Sequence, residues 1–513
     1  MEYVSHPWIN SNTIEKRSYQ ENIVKVALTG NTMVVLPTGL GKTSIAAMVA
    51  ADRLQKDMNK KILFLAPTRP LVEQHRRTFE KILKIGTDEL KVITGSHKPE
   101  VRSSLYEKAD IIFSTPQTIR NDLKKGILSL RNFSLCIFDE AHRCVGNYAY
   151  TYIAKRYMYE SSDPLILALT ASPGGHRYKI NEVKEKLFIK NVEIRSREDK
   201  DVRPYVQQLY QNWISVELPT PIKSIKDYLE KIKNERMQKL INWGIIKYPK
   251  ITKSHMLKLQ EELAKKKTGL SYAAISMLAE IIKIDHALTL LETQCLYSLK
   301  KYFDKLINET KSKAVARLLK NDDFKNAIRL TNELIREGQE HPKIEKLKDI
   351  IKEELNKDKY SRIIVFAQYR DTIEKIYDEL KNIKYSSPIE FIGQTKKKGK
   401  GLSQKEQMQI LNEFKLGFYN ILCASQVAEE GLDVVETNLV IFYEPTPSAI
   451  RKIQRSGRTG RTKAGKVIIL MTKDTRDEAY HWSAYQKEKK MKSVLYEMQK
   501  NKRQLAISDD KNE

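Results

Sequence analysis

Cysteine is scarce in this chain, with four in 513 residues: Cys136, Cys144, Cys295 and Cys423. Their spacing suits neither a zinc site nor a disulfide framework, which excludes a stapled secreted scaffold and points to a reducing compartment. Long apolar runs are missing too. Nowhere do about 18 apolar residues follow one another, so no segment reads as a membrane span. The opening string, Met1-Glu-Tyr-Val-Ser-His-Pro-Trp8, lacks the charged-then-apolar pattern of a secretory signal. The chain is expected to be soluble and intracellular, in the cytoplasm or on the nucleoid, with no membrane partner. It has no long glycine, serine or proline tract and no internal repeat beyond two similar α/β stretches. Negative charge is the last shortage: 64 acids stand against 91 lysines and arginines, a formal balance of +27. That suits a polyanionic partner, most simply nucleic acid, with a solubilising surface as the plainer alternative.

What is present suffices for several packed cores, and the length implies about three domains. From about residue 32 to 170 short apolar runs alternate with helix-like stretches, among them Met33–Leu36, Ile62–Leu65, Lys91–Thr94, Asp110–Phe113, Leu135–Phe138 and Leu165–Leu169. This rhythm predicts a parallel sheet covered by helices on both faces. Polar clusters follow these runs, and in such a sheet they converge at the carboxyl ends of the strands. The rhythm returns over about 361–470, with Arg362–Phe366, Ile389–Ile392, Asn420–Cys423, Leu439–Phe442 and Lys466–Leu470. Between them, over about 220–340, the spacing turns helical, as in Ile284, Ala287, Leu288, Leu291 and Cys295 along one face. Residues 231–270 of this stretch hold 11 lysines and arginines against 3 glutamates, a balance of +8. The expected organisation is therefore α/β, two parallel-sheet domains with an all-helical insertion between them. Its boundaries are drawn at 1–215, 216–340 and 341–480, with a C-terminal helix and tail over 481–513. In that last stretch Trp482 and Tyr485 are expected to pack the helix against the second α/β domain.

Two strings more than 400 residues apart describe one ATP site. Leu36-Pro-Thr-Gly-Leu-Gly-Lys-Thr43 reads as a phosphate loop, in which backbone N–H groups and a helix N-terminus face the phosphates. Thr38, Gly39, Gly41, Lys42, Thr43 and Ser44 are its candidate ATP contacts, and the Thr43 hydroxyl is a candidate magnesium ligand. About a hundred residues on, Asp139-Glu-Ala-His142 follows an apolar strand. Asp139 would hold Mg²⁺ through water and Glu140 would polarise the attacking water. His142 would couple that site to Thr170-Ala-Ser172, through Thr170 and Ser172. In Gln454-Arg-Ser-Gly-Arg-Thr-Gly-Arg461, Arg458 and Arg461 lie three apart, so one helical turn sends both toward an anion across a cleft. With Gln454 they complete the catalytic set.

The ordered strings resemble the superfamily 2 DEAH-box helicases. Pro37–Thr43 looks like motif I, Ala66–Arg69 like Ia, Thr115–Gln117 like Ib, Asp139–His142 like II and Thr170–Ser172 like III. Val365–Arg370 resembles motif IV, Ala424–Asp433 motif V and Gln454–Arg461 motif VI. Leu36 stands where the simple phosphate loop has glycine, a departure common in that family. The nearer resemblance is to archaeal Hef helicases and FANCM-type relatives, carried by Asp139–Tyr150, Gly401–Lys405 and Phe442–Arg451. It implies RecA-like motor domains and an ATP- and Mg²⁺-dependent DNA helicase or translocase moving 3′ to 5′ on forks and junctions in replication-fork repair. It also implies that Gln20, with Arg17 beside it, reads the adenine edge and that Gly431 and Asp433 lie near the ribose. Arg69, Thr115, Gln117, Gln368 and Arg370, with Thr395 and Ser425, would line the nucleic-acid cleft. A nuclease or clamp protein is a possible partner, since full-length Hef proteins carry a nuclease with a Glu-Arg-Lys core that has no counterpart string here. Two other readings remain at this level: a double-stranded RNA translocase of the RIG-I or Dicer type, and a non-catalytic DNA-binding platform.

Overall fold

In the computed structural model, the described residues are 2–171, 177–205, 209–249, 251–309, 312–393, 401–425, 437–445 and 465–483, with short pieces of helix up to 497. Seven strands make the first sheet: β1 (Thr32–Val35), β2 (Lys61–Leu65), β3 (Leu90–Ile93), β4 (Ile111–Ser114), β5 (Phe133–Phe138), β6 (Ile166–Thr170) and β7 (Asn191–Ile194). Their order is β3-β4-β2-β5-β6-β1-β7, every pairing parallel. β1, β4, β5 and β6 are buried at every position, as expected where helices cover both faces of a parallel sheet. The chain leaves β1 and β5 at the same edge of the sheet, with β6 between them. That places the phosphate loop, Asp139 and Thr170 side by side.

The second sheet contains β8 (Leu209–Val216), β9 (Ile363–Phe366), β10 (Pro388–Phe391), β11 (Ile421–Ala424), β12 (Leu439–Phe442) and β13 (Gly465–Thr472), in the order β10-β11-β9-β12-β13-β8. β8 corrects one expectation. Residues 209–215, grouped by sequence with the first domain, pair in parallel with β13 from Leu209–Gly465 to Val216–Thr472. The partner strand is some 250 residues away, so local pattern gave no sign of it.

From β8 the chain enters the helices Thr220–Asn242, Lys253–Lys266, Gly269–Thr293, Leu296–Ile307, Lys313–Lys320 and Asp322–Arg336. Thr252, Thr268, Ser312 and Asn321 cap four of them, each accepting a backbone N–H from the first turn. These helices hold two cores. A distal one gathers Met237, Leu240, Met256, Leu263, Leu278 and Ile281, and a proximal one gathers Ile225, Leu229, Leu288, Leu291, Leu299, Phe303 and Phe324. Ile284, Ala287, Leu288, Leu291 and Cys295 are all buried, though the helix ends at Thr293 and Cys295 is the N-cap of the next one.

The proximal end is docked on the second sheet through buried polar bonds. Gln294 accepts from Thr372 at its side chain (2.9 Å) and from the Tyr443 hydroxyl at its carbonyl (2.8 Å). Lys343 donates to Thr293 O (3.0 Å) and pairs with Asp477, both side chains fully buried. Arg476 reaches Asp285 (2.8 Å) and Glu292 (3.3 Å). After β13, His481 packs against Trp213 with ring centroids 3.8 Å apart and planes 60° from parallel. Trp482 and Tyr485, the expected anchors, are exposed and touch each other edge-on; the helix rotation points His481 inward instead. Among the described residues no helix is long and apolar enough to cross a membrane.

Candidate active site

The phosphate loop springs from β1 with Leu36 N bonded to Thr170 O (3.0 Å). Gly39 and Gly41 take left-handed backbone angles, φ +88° and +79°, which L side chains adopt only with strain. Gly41 is also pinned from outside: a Cβ there would lie 2.3 Å from Gln20 Nε2. Gly41 caps the helix Lys42–Lys56, whose open N–H groups and dipole suit phosphate. Lys42 Nζ folds back to Leu36 O (2.9 Å), while Ser44 is partly exposed in the first turn.

Gln20 lies on the helix Ser18–Leu28 and donates to Leu40 O (3.1 Å) beside the fully buried Tyr19, whose hydroxyl donates to the same carbonyl (2.8 Å). Arg17, the N-cap of that helix, is held by Glu15 (2.9 Å) and sits over the Tyr205 ring. Thr38 O accepts from Arg197 (3.4 Å), a contact that no local motif announced.

Asp139, almost fully buried, leaves the end of β5. Glu140 follows in the left-handed region, φ +49°, a strained placement for glutamate. Burial would raise the Glu140 pKa, yet the neighbouring His142, with Lys42 and Arg143 beyond it, holds its carboxyl down at about 2. His142 Nδ1 stands 3.2 Å from Glu140 Oε2 and 3.1 Å from Thr170 Oγ1. Only the Thr170 contact has hydrogen-bond geometry, while Glu140 Oε2 makes an ion-pair contact without an aligned bond.

The residue that sequence reading missed is His75. On the helix Arg69–Ile82 the buried positions are Val72, His75, Phe79 and Ile82, and a histidine within that apolar stripe was the available signal. Its Nδ1 lies 3.3 Å from Thr43 Oγ1 and its Nε2 2.9 Å from Asp139 Oδ2. The two expected magnesium ligands thus meet at one imidazole. A hydroxyl and a carboxylate beside a phosphate cradle are hard oxygen donors of the kind magnesium takes, so these residues fit the ion.

The nucleic-acid candidates occupy the strand ends as well. Arg69 is exposed at the start of its helix. Thr115 caps the helix Pro116–Lys124 and bonds Thr118 (2.9 Å), with Gln117 exposed beside it. In the second domain Gln368 is exposed after β9, and Arg370 donates to Gly393 O (2.9 Å). Ser425 is buried and donates its backbone N–H to Phe391 O, so it offers little surface to a ligand. A groove of about 280 Å³ separates the domains, lined by Pro70, Gln74 and Arg77 on one side and Met408, Asn412 and Lys415 on the other. Ser172, Thr395, Gly431, Asp433, Gln454, Arg458 and Arg461 lie outside the described residues.

Comparison with known proteins gives three family matches: DEAD/DEAH box helicase over residues 17–179, helicase conserved C-terminal domain over 342–463, and an RNA-helicase helical bundle over 221–337. The crystal structure of the Pyrococcus furiosus Hef helicase domain superposes with a TM-score of 0.74 at 43% identity, covering 93% of this chain and all of that one. A Methanocaldococcus jannaschii protein named as an ATP-dependent RNA helicase is 40% identical over 97% of this chain and 63% of its own length. The ATP-dependent DNA helicase MPH1 of Coccidioides immitis is 32% identical over 92% of this chain and 45% of its own length. The chain thus spans less than two thirds of these curated relatives.

Proposed function

The chain belongs to the DEAD/DEAH-box helicases of superfamily 2, close to the Hef and FANCM type, and on that premise we propose that it is a DNA-dependent ATPase translocating 3′ to 5′ on forked or branched DNA during replication-fork repair. The observation that carries the ATPase reading is the meeting of Thr43 and Asp139 at one point in front of the phosphate loop. When bound, Mg²⁺ supplies charge neutralisation at the β- and γ-phosphates. The backbone of Gly39–Thr43 and the Lys42 ammonium hold those phosphates. Glu140 would polarise the attacking water. Arg458 and Arg461, with Gln454, would reach the transferring phosphoryl group from the second domain, and Gly431 and Asp433 would lie at the ribose. Arg17 and Gln20 would hold the adenine, and His142, Thr170 and Ser172 would link hydrolysis to movement.

Arg69, Thr115, Gln117, Gln368, Arg370 and Thr395 would grip phosphates, which fixes register without reading bases; Ser425, buried and with its N–H given to Phe391 O, drops out of that set. Binding should be insensitive to sequence and steeply weakened by salt. The insertion, with its +8 balance over 231–270, would hold the duplex beside the single strand. A cytoplasmic or nucleoid location and a nuclease or clamp partner belong to the same reading.

The test is ATP turnover at fixed low salt with no nucleic acid, single-stranded DNA, a fork, a four-way junction and duplex RNA, with Glu140→Gln as the blank. Strongest stimulation by fork or junction DNA, lost in E140Q, is expected. Stimulation by duplex RNA alone would transfer the chain to the RNA reading, which the RNA names carried by two relatives and by the helical-bundle family favour. Displacement from 3′-tailed but not 5′-tailed duplexes checks polarity.

A further inference from the structure

The helix Arg69–Ile82 holds His75 against β2, where its ring packs on Phe64 with centroids 4.4 Å apart and planes 33° from parallel. Phe64 is in turn locked by Phe79 and Phe113. The imidazole therefore has little room to turn, and both its nitrogens are committed: Nε2 to Asp139 Oδ2 at 2.9 Å and Nδ1 to Thr43 Oγ1 at 3.3 Å. An ionised carboxylate is an acceptor only, so in the neutral ring Nε2–H donates to Asp139 and Nδ1 is left to accept from the Thr43 hydroxyl. This arrangement prepares both oxygens for a cation. The Thr43 proton is turned away and its lone pairs are free, and the Asp139 carboxylate is fixed through one oxygen while the other stays available.

Resting on the ATPase reading, we infer that His75 is the positioning residue of the magnesium site, orienting Thr43 and Asp139 together without itself touching the ion. Outer groups that orient metal ligands commonly change metal affinity about 10- to 100-fold when removed. The same helix carries Arg69 at its first turn and lines the interdomain groove with Pro70, Gln74 and Arg77. The orientation of the metal ligands is thereby tied to an element that faces both the nucleic-acid edge and the second domain.

The experiment uses the full chain, His75→Leu and His75→Gln. Leucine keeps an apolar contact with Phe64 and removes both hydrogen bonds. Glutamine offers an N–H donor and a carbonyl acceptor, as the neutral ring does. Binding of a fluorescent, non-hydrolysable ATP analogue is measured in EDTA and then across a magnesium chloride titration, with thermal melting alongside. In EDTA all three proteins are expected to bind within about twofold of one another, whereas H75L needs at least about tenfold more magnesium for half-maximal enhancement and H75Q recovers most of that loss. A wild-type magnesium requirement in H75L overturns the inference, as does an equal weakening with and without magnesium. Should H75L fail to fold, His75→Asn, too short to span both partners, takes its place under the same criteria. A wild-type chain that binds no nucleotide in either buffer overturns the ATPase reading itself, and this inference with it.

Discussion

His142, in the turn after β5, is joined to Thr170 at the end of the neighbouring β6, its Nδ1 standing 3.1 Å from the Thr170 hydroxyl. The carbonyl of Thr170 also receives Leu36 N at the root of the phosphate loop. Glu140, His142, Thr170 and the loop thus form one continuous path at the edge of the first sheet. His142→Ala is expected to lower DNA strand displacement about tenfold more than ATP turnover, roughly the worth of one intramolecular hydrogen bond. Paired assays on one preparation measure the ratio. Equal losses in both would place His142 within hydrolysis rather than coupling.

Gly41→Ala meets two obstacles, the left-handed φ of +79° and the Gln20 amide in the space its Cβ would fill. The backbone alone costs an L-residue about 1–2 kcal/mol. Nucleotide affinity should fall at least about tenfold, and the double variant Gln20→Ala/Gly41→Ala should not regain the wild-type value, because only the clash is relieved. A double-mutant cycle on nucleotide binding separates the two terms.

Lys343 and Asp477 are an ion pair excluded from water, and burial outweighs the lysine in raising the Asp477 carboxyl above its ordinary range. Breaking such a pair on one side costs about 3–5 kcal/mol, whereas an apolar replacement of both is often near neutral. Lys343→Ala should therefore lower the denaturant midpoint sharply, and Lys343→Met/Asp477→Leu should restore much of it. Because the same ammonium donates to Thr293 O at the proximal end of the helical insertion, Lys343→Ala should also loosen hydrogen-exchange protection around Thr293–Leu299.

His341 caps the helix Pro342–Lys357, its Nδ1 accepting from Lys343 N (3.2 Å). Burial, reinforced by the Lys343 charge, holds the imidazole well below its ordinary 6.5. The unfolded chain takes up that proton near 6.5 while the folded chain refuses it, so stability falls as pH drops below about 6.5. His341→Asn keeps a capping acceptor and removes the titration. The wild-type melting temperature should decline more steeply than the variant's between pH 7 and 5.

Much of the architecture was legible along the chain. The strands are short and uniformly apolar because helices cover both faces of each sheet, and polar strings at their carboxyl ends stand out against that background. Helical spacing between the two α/β stretches likewise follows from one-sided burial. Three things needed the tertiary structure. β8 joins a sheet completed some 250 residues later, and pairing at that separation leaves no local pattern. The ring that the C-terminal helix lays against Trp213 is that of His481, while Trp482 is exposed, since the rotation of a helix on its support is set by the shape beneath it. His75 reads in sequence as one polar residue on an apolar stripe. Only the packing of its helix on β2 turns that ring toward Thr43 and Asp139, which come from two other strand ends. The sequence by itself determined which chemical groups the site contains and at which edge they lie; their distances and orientations were decided by long-range packing, because no residue controls where a distant helix comes to rest.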